Sequence, residues 1–237
     1  MNEPQKRVAI VTGGSQGIGA GIVAGYRRSG WAVVVNARTM EDSEDPDTVI
    51  VQGDVSDPTT ADDIVTEGLA RFGRIDTLIN NAGIFISKPF TEYTPDDYAS
   101  IVGVNLTGFF WVTQRVVAEM LKQGGGHIVN ISTTLVDYAN SDVPSVLVSL
   151  TKGGLAAATR SLAIEYASRG IRVNAVSPGV IQTPIHAQES YDAAARLHPL
   201  GRVGHVRDIV EGILFLESSP FITGEILHID GGQIAGH

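Results

Sequence analysis

Short runs of Val, Ile and Leu alternate with helix-period segments along nearly the whole chain, and this alternation limits the fold more than any other feature. Runs over residues 8–12, 32–36, 49–52, 77–80, 127–132, 172–177 and 225–229 read as strands. Helical periodicity follows over 17–29, 61–72, 95–122, 152–168 and 206–217. Strands that each feed a helix before the next strand build a parallel sheet. The runs are almost continuously apolar, which suits strands covered on both faces. The pattern therefore predicts an α/β fold: one doubly wound sheet of about seven mainly parallel strands, in a single domain spanning 1–237. With 43% hydrophobic residues in 237, the chain can bury one full core. One connection is unusual. Twelve residues separate Asn36 from Val49, close to the minimum of about 10–12 for a crossover, and 39–48 are mostly acidic or turn-forming, so a loop is expected there in place of a helix.

Composition narrows the function classes. A net charge of −9 argues against nucleic acid, because phosphate binding needs clustered Lys and Arg. The chain has no cysteine, which excludes disulfides and thiolate metal sites and suits a reducing cytoplasm. No uninterrupted apolar run reaches the length of about 20 residues that a membrane span needs. Residues 1–6 are polar and do not read as a signal peptide. The expectation is a cytoplasmic protein with a small-molecule substrate, no metal and no membrane or nucleic-acid partner.

Thr12-Gly13-Gly14-Ser15-Gln16-Gly17-Ile18-Gly19 joins the first strand to the first helix. Glycines at this turn allow a tight bend, close backbone approach to a pyrophosphate, and free amides at a positively polarised helix end. Alone, the pattern reads equally as an ordinary strand-to-helix turn. Three more motifs follow in order: Asn80-Asn81-Ala82-Gly83, then Val148-Ser149-Leu150-Thr151-Lys152, then Pro178-Gly179-Val180-Ile181-Gln182-Thr183. Together they resemble the short-chain dehydrogenase/reductase family in its single-domain, Rossmann-like form. The resemblance implies a dinucleotide held by Gly13, Ser15, Gln16, Gly17, Ile18 and Gly19 at its pyrophosphate. It implies Asp54-Val55 at the adenine, Asn81, Ala82 and Gly83 beside the ribose, Pro178 and Gly179 along the nicotinamide, and Thr183 at the carboxamide. Asp54 also reads as a helix cap, since Ser56 and Asp57 suit a helix start.

The end of the second strand selects between the two dinucleotides. An acid there bonds a ribose 2′-hydroxyl and repels a 2′-phosphate. That position reads Ala37, and Arg38 follows, so NADP(H) is expected over NAD(H), with Arg38 on the 2′-phosphate. Gln16 stands where many NADP-using relatives carry a second base. Arg38 also reads as a surface group paired with Glu41, Asp42, Glu44 or Asp45.

The family's chemistry uses a serine that holds the substrate oxygen, a tyrosine that passes the proton, a lysine that lowers the tyrosine pKa and bonds the ribose, and an asparagine that anchors a water. Lys152 and Asn105 match, and Thr133 or its neighbour Ser132 covers the serine. The tyrosine position holds Val148. A methyl pair cannot supply a proton, and general acid catalysis is worth about 10²–10⁴ in rate. Tyr138, in the loop 134–146, is the preferred replacement; its other reading is a loop aromatic packed on a lid or a subunit interface. Ser149 is a far poorer acid and suits water ordering or helix capping. His186, Tyr191 and His198 fall in the expected substrate lid around 184–199, where a histidine can donate near neutral pH. The Ser149-x-x-Lys152 spacing lacks the partner motifs of a serine–lysine hydrolase.

Two functions follow. One is an NADP(H)-dependent reductase of a carbonyl, imine or activated alkene on a small uncharged molecule, with a displaced proton donor. The other is an NADP(H)-binding protein whose catalysis is lost. The resemblance further implies a homotetramer packed through the stretch 224–232, which otherwise reads as the edge strand of a monomer.

Overall fold

The computed structural model describes residues 5–184 and 191–236. Seven strands form one sheet, β1 Val8–Thr12, β2 Ala32–Ala37, β3 Thr48–Gln52, β4 Thr77–Asn80, β5 Gly126–Ile131, β6 Ile171–Pro178 and β7 Ile226–Ile229. Their spatial order is β3-β2-β1-β4-β5-β6-β7, and every neighbouring pair is parallel. Helices cover both faces, as the apolar runs imply. Ile22 and Tyr26 of α1 (Gly17–Arg28) and Ile209 and Ile213 of α7 (Val206–Ser218) fill one side. On the other side lie Ile64 of α2 (Pro58–Phe72), Val112, Val116 and Met120 of α4 (Phe109–Gln123), and Ala163 of α5 (Val146–Tyr166).

The strand order reverses between β1 and β4, so the chain leaves these neighbours in opposite directions. In such sheets a ligand sits beyond the carboxyl ends of the two strands where the order reverses. The opposite end of the strands is closed by a half-buried carboxylate. Glu217 Oε2 accepts from Tyr26 Oη at 2.9 Å, Thr77 Oγ1 at 2.9 Å and His127 Nδ1 at 3.0 Å.

The connection from β2 to β3 contains no helix, as expected. Its acids are docked on α1: Arg27 reaches Asp45 at 2.7 and 3.0 Å and Asp47 at 3.1 Å, while Lys6 adds a bond to Asp47 at 2.5 Å.

Two helices differ from the sequence expectation. The segment read as one helix over 95–122 is α3 (Pro95–Val102), a π-helical stretch Gly103–Gly108, and then α4. Periodicity does not register a widened turn; at its end Gly108 packs closely on Val55, where a Cβ would lie 2.7 Å from Val55 Cγ2. This continuous 29-residue stretch, of mean hydropathy 1.2, is the one helix among the described residues long and apolar enough to cross a membrane. Its Val112, Val116 and Met120 are instead spent on the sheet. The second difference is α5, which starts at Val146 and not at 152. Its Val-Leu-Val opening reads as extended by propensity, but burial of Leu147, Val148, Thr151 and Lys152 along the helix overrides it.

Candidate active site

The glycine turn is shaped by what cannot fit in it. Gly13 and Gly17 have φ of +64° and +54°, a region side chains rarely adopt. A Cβ on Gly19 would fall inside the Gly13 carbonyl oxygen, so α1 crosses the turn in direct backbone contact. The exit of β4 is bolted to the same turn. Asn81 Nδ2 donates to the carbonyls of Thr12 at 2.9 Å and Gly13 at 3.0 Å. Thr12 Oγ1 in return accepts from the amides of Asn81 at 3.1 Å and Ala82 at 3.0 Å. Thr12 had no place among the expected site residues, although a hydroxyl ending a buried strand beside a glycine turn is a readable signal. Helix α1 begins at Gln16 with no side-chain cap and no acid in its first turn. Its leading amides are thus left for an anion. Ser15 and Gln16 are exposed at its mouth and Ile18 is half-buried. Thr183 overhangs it, with its Cβ 3.5 Å from where a Gly17 Cβ would stand.

At the end of β2, buried Asn36 donates to the carbonyls of Val51 at 3.1 Å and Gly53 at 3.2 Å and so locks the β2 and β3 exits together. Arg38 is exposed. It forms no ion pair among the described residues, because Arg27 and Lys6 hold Asp45 and Asp47. Glu41 and Asp42 line a shallow groove with Thr39, Met40 and Gln52. Asp54 is exposed and accepts from the amide and hydroxyl of Ser56 at 2.9 and 2.7 Å. The cap of α2 is Asp57, which takes the Thr59 amide at 2.9 Å, so the capping role falls to Asp57 and not to Asp54. Val55 is buried against Gly108.

Lys152, Gly83 and Asn105 come together. A Cβ on Gly83 would lie 3.1 Å from Lys152 Nζ and 3.4 Å from Asn105 Oδ1. The buried Lys152 ammonium donates to the Ile131 carbonyl at 2.7 Å. Burial lowers its pKa from 10.5 to about 8, and no acid offsets that shift. Asn105 sits in the π-helical stretch. Its Oδ1 accepts from the Ile84 amide at 2.9 Å, and its Nδ2 donates to the Ile84 carbonyl at 3.1 Å and to Thr151 Oγ1 at 3.2 Å. The side chain expected to anchor a water therefore fastens the β4 exit to α5.

The hydroxyl pair after β5 divides cleanly. Ser132 is buried beneath α5, its Oγ 3.5 Å from the Lys152 carbonyl, which is long for an O–H···O bond. Thr133 is half-buried, and its Oγ1 accepts only a long bond of 3.4 Å from the Leu135 amide. Val148 is 3% exposed, so the position expected from the resemblance to hold the tyrosine is covered by protein. Ser149 Oγ is neither a cap nor a free donor, since it binds the Leu135 carbonyl at 3.0 Å. That bond lays the turn 133–138 against the start of α5, with half-buried Tyr138 at its far end, its amide on the Thr134 carbonyl at 2.8 Å.

The lid candidates resolve differently from the expectation. His198 is buried, with Nδ1 donating to the Asp230 carbonyl at 2.6 Å and Nε2 accepting the Val180 amide at 3.3 Å. Both ring nitrogens are used, which excludes it as a lid acid. Tyr191 Oη donates to the Thr183 carbonyl at 3.1 Å. His186 and residues 185–190 lie outside the described residues. Pro178 ends β6, and Gly179 follows it with its amide on the Ile229 carbonyl at 3.1 Å. Among the described residues no cluster of three or more His, Cys, Asp or Glu is arranged to hold a metal.

A nicotinamide dinucleotide fits these residues: an uncapped helix end, glycines that leave no room for side chains, and an ammonium with no carboxylate partner among the described residues. Comparison with known proteins agrees. A family model described as enoyl-(acyl carrier protein) reductase matches residues 13–233. The 3-oxoacyl-(acyl carrier protein) reductase of Thermotoga maritima is 33% identical over 245 residues, covering 96% of this chain and 98% of that one. The structure of ElxO with NADP bound superposes with a TM-score of 0.91 at 31% identity, over 98% of this chain and 100% of that one. The 3-ketoacyl-(acyl carrier protein) reductase of Brucella melitensis, complexed with NADH, gives a TM-score of 0.88 at 28% identity over the same shares. By these matches the chain belongs to the short-chain dehydrogenase/reductase family of NAD(P)-dependent oxidoreductases.

Proposed function

We propose that this protein is an NADP(H)-dependent reductase that acts on a carbonyl, imine or activated alkene of a small uncharged molecule and takes its proton from the turn 133–138 and not from position 148. The observation that carries this reading is the retained Lys152. A buried ammonium with no acid beside it among the described residues is costly, and an inert scaffold has no use for one gathered with Gly83 and Asn105. The bound dinucleotide supplies the hydride. The amides at the start of α1 hold its pyrophosphate, Arg38 its 2′-phosphate, and Lys152 its ribose hydroxyls. Thr133 donates to the substrate oxygen, and the Tyr138 phenol passes the proton. Asn105 keeps the Gly83–Ile84 wall in place.

Names of relatives support the class: the Thermotoga maritima protein is a 3-oxoacyl reductase. A Tyr-to-Phe variant of ElxO is known with NADPH bound, so loss of a tyrosine is compatible with a filled cofactor site in that protein. The NADH complex of the Brucella melitensis enzyme and the acids Glu41 and Asp42 weigh toward NAD(H), whereas unpaired Arg38 weighs toward NADP(H). A second reading rests on Val148: a protein that binds NADP(H) without turnover. NADPH oxidation measured across ketones, imines and enones separates the two. Turnover on any of these classes supports the reductase; tight NADPH binding with no consumption on all of them leaves the binding protein.

The chain acts in this reading as one domain over 1–237, with a lid around 184–199, in the cytoplasm, and without nucleic acid or a membrane. It assembles as a homotetramer. Phe110, Leu150 and Ile164 are exposed on α4 and α5, and Phe215 and Phe221 at the α7 edge, which provides two separate apolar faces. Light scattering at the mass of four chains is the expected result.

A further inference from the structure

We propose that Gln233 is a positioning residue for the turn 133–138, placing Thr133 and Tyr138 for proton transfer from the far end of the chain. Thr134 Oγ1 donates to Gln233 Oε1 at 3.0 Å, across 99 residues, and both side chains are buried. The Thr134 carbonyl in turn accepts the amides of Asp137 at 3.0 Å and Tyr138 at 2.8 Å, and the Thr133 carbonyl accepts that of Val136 at 3.2 Å. Holding Thr134 therefore holds the whole turn.

Gln233 is itself anchored. The Asp230 carboxylate accepts the amides of Gly232 and Ile234, each at 2.9 Å, and shapes the tail that presents the glutamine. His198 joins this tail to the exit of β6, since it donates to the Asp230 carbonyl and accepts the Val180 amide. A second, more exposed tie runs parallel: His228 Nε2 stands 3.1 Å from Asp137 Oδ2. The segment Asp230-Gly231-Gly232-Gln233 thus links the proton-donor turn to the strand exit beside the nicotinamide site. The catalytic part of this inference rests on the reductase reading; the tie itself does not.

The test combines hydrogen exchange at the amides of Val136, Asp137 and Tyr138 with steady-state kinetics, in the full-length protein and its Thr134→Val, Thr134→Ser and Gln233→Leu variants. With the tie removed by Thr134→Val or Gln233→Leu, these amides are expected to exchange about fivefold faster. Exchange at the glycine turn and the dissociation constant for NADPH stay unchanged. The kcat is expected to fall about 10- to 100-fold, as a misplaced donor does. Thr134→Ser restores both readouts, and the double variant Thr134→Val/Gln233→Leu is no worse than either single one. Unchanged exchange at the turn overturns the proposal. So does a Thr134→Ser protein as impaired as Thr134→Val, or a loss of kcat that merely tracks NADPH binding and Tm. Should a core variant fail to fold, His228→Gln at the exposed tie reads the same turn, with a smaller shift in the same direction expected and no shift overturning it. If the parent protein turns over no substrate, the reductase reading fails, and the exchange measurements alone decide the tie.

Discussion

Two loops at the carboxyl end of the sheet are held by opposite means. The glycine turn 13–19 is fixed by its own backbone and by its immediate neighbour in space, the β4 exit, through Thr12 and Asn81. The turn 133–138 is fixed from a distance, by Ser149 on α5, by Gln233 in the tail and by His228 on β7. The first arrangement needs small residues at set spacings and leaves little freedom to change them. The second is spread over side chains that can be exchanged in concert. A chain built this way can hold its glycine turn unchanged while residues around the turn 133–138 vary.

The contrast is broken most severely at Gly19. Gly19→Ala drives a methyl into the Gly13 carbonyl, at a cost above the about 1–3 kcal/mol of ordinary core overpacking. Calorimetry is expected to show a lower Tm, and titration to show no NADPH binding. A folded Gly19→Ala protein with parental affinity would mean that the turn is looser than its backbone contact implies.

Arg38 sharpens the cofactor side. Removing one charge-assisted contact costs about 1.5–3 kcal/mol, so Arg38→Ala is expected to weaken NADPH binding about 10- to 100-fold and leave NADH binding unchanged. Equal losses for both would assign Arg38 a structural role.

Val148 tests the covered tyrosine position. It is 3% exposed, so Val148→Tyr is expected to overpack and destabilise by about 1–3 kcal/mol in urea unfolding. A neutral substitution would show that a phenol still has room there.

Lys152 gives the smallest and most graded effect. Its folded pKa of about 8 lies below the ordinary 10.5, so between those values the unfolded chain binds more protons. Stability is therefore expected to rise with pH across that window, relative to Lys152→Met. If the protonated amine donates to the ribose as proposed, NADPH affinity is expected to weaken as pH rises through about 8. A flat profile in both measurements would mean that the amine is not buried as described.

Most of the fold was legible in the sequence, because strands covered on both faces advertise themselves as apolar runs and the loop over 39–48 as a run of acids. The π-helical stretch around Asn105 was not, since one widened turn leaves the 3.6-residue pattern almost intact. In the site, Lys152 and Asn105 were expected from the family resemblance, and the fold brings them together at Gly83. The roles of Thr134 and Gln233 were not legible, because a bond spanning 99 residues has no local signature. His198 looked like a lid acid for the same reason: only the fold brings it between Asp230 and Val180.

The central claim is that the cofactor site is complete while the proton source has moved to the turn 133–138. Its most direct test is Tyr138→Phe, with NADPH dissociation and single-turnover hydride transfer measured side by side on the best substrate found for the parent. Unchanged NADPH binding with hydride transfer slowed by about 10²–10⁴ is expected for loss of a general acid. Transfer at the parental rate in Tyr138→Phe would contradict the claim and return the proton to water or to another group.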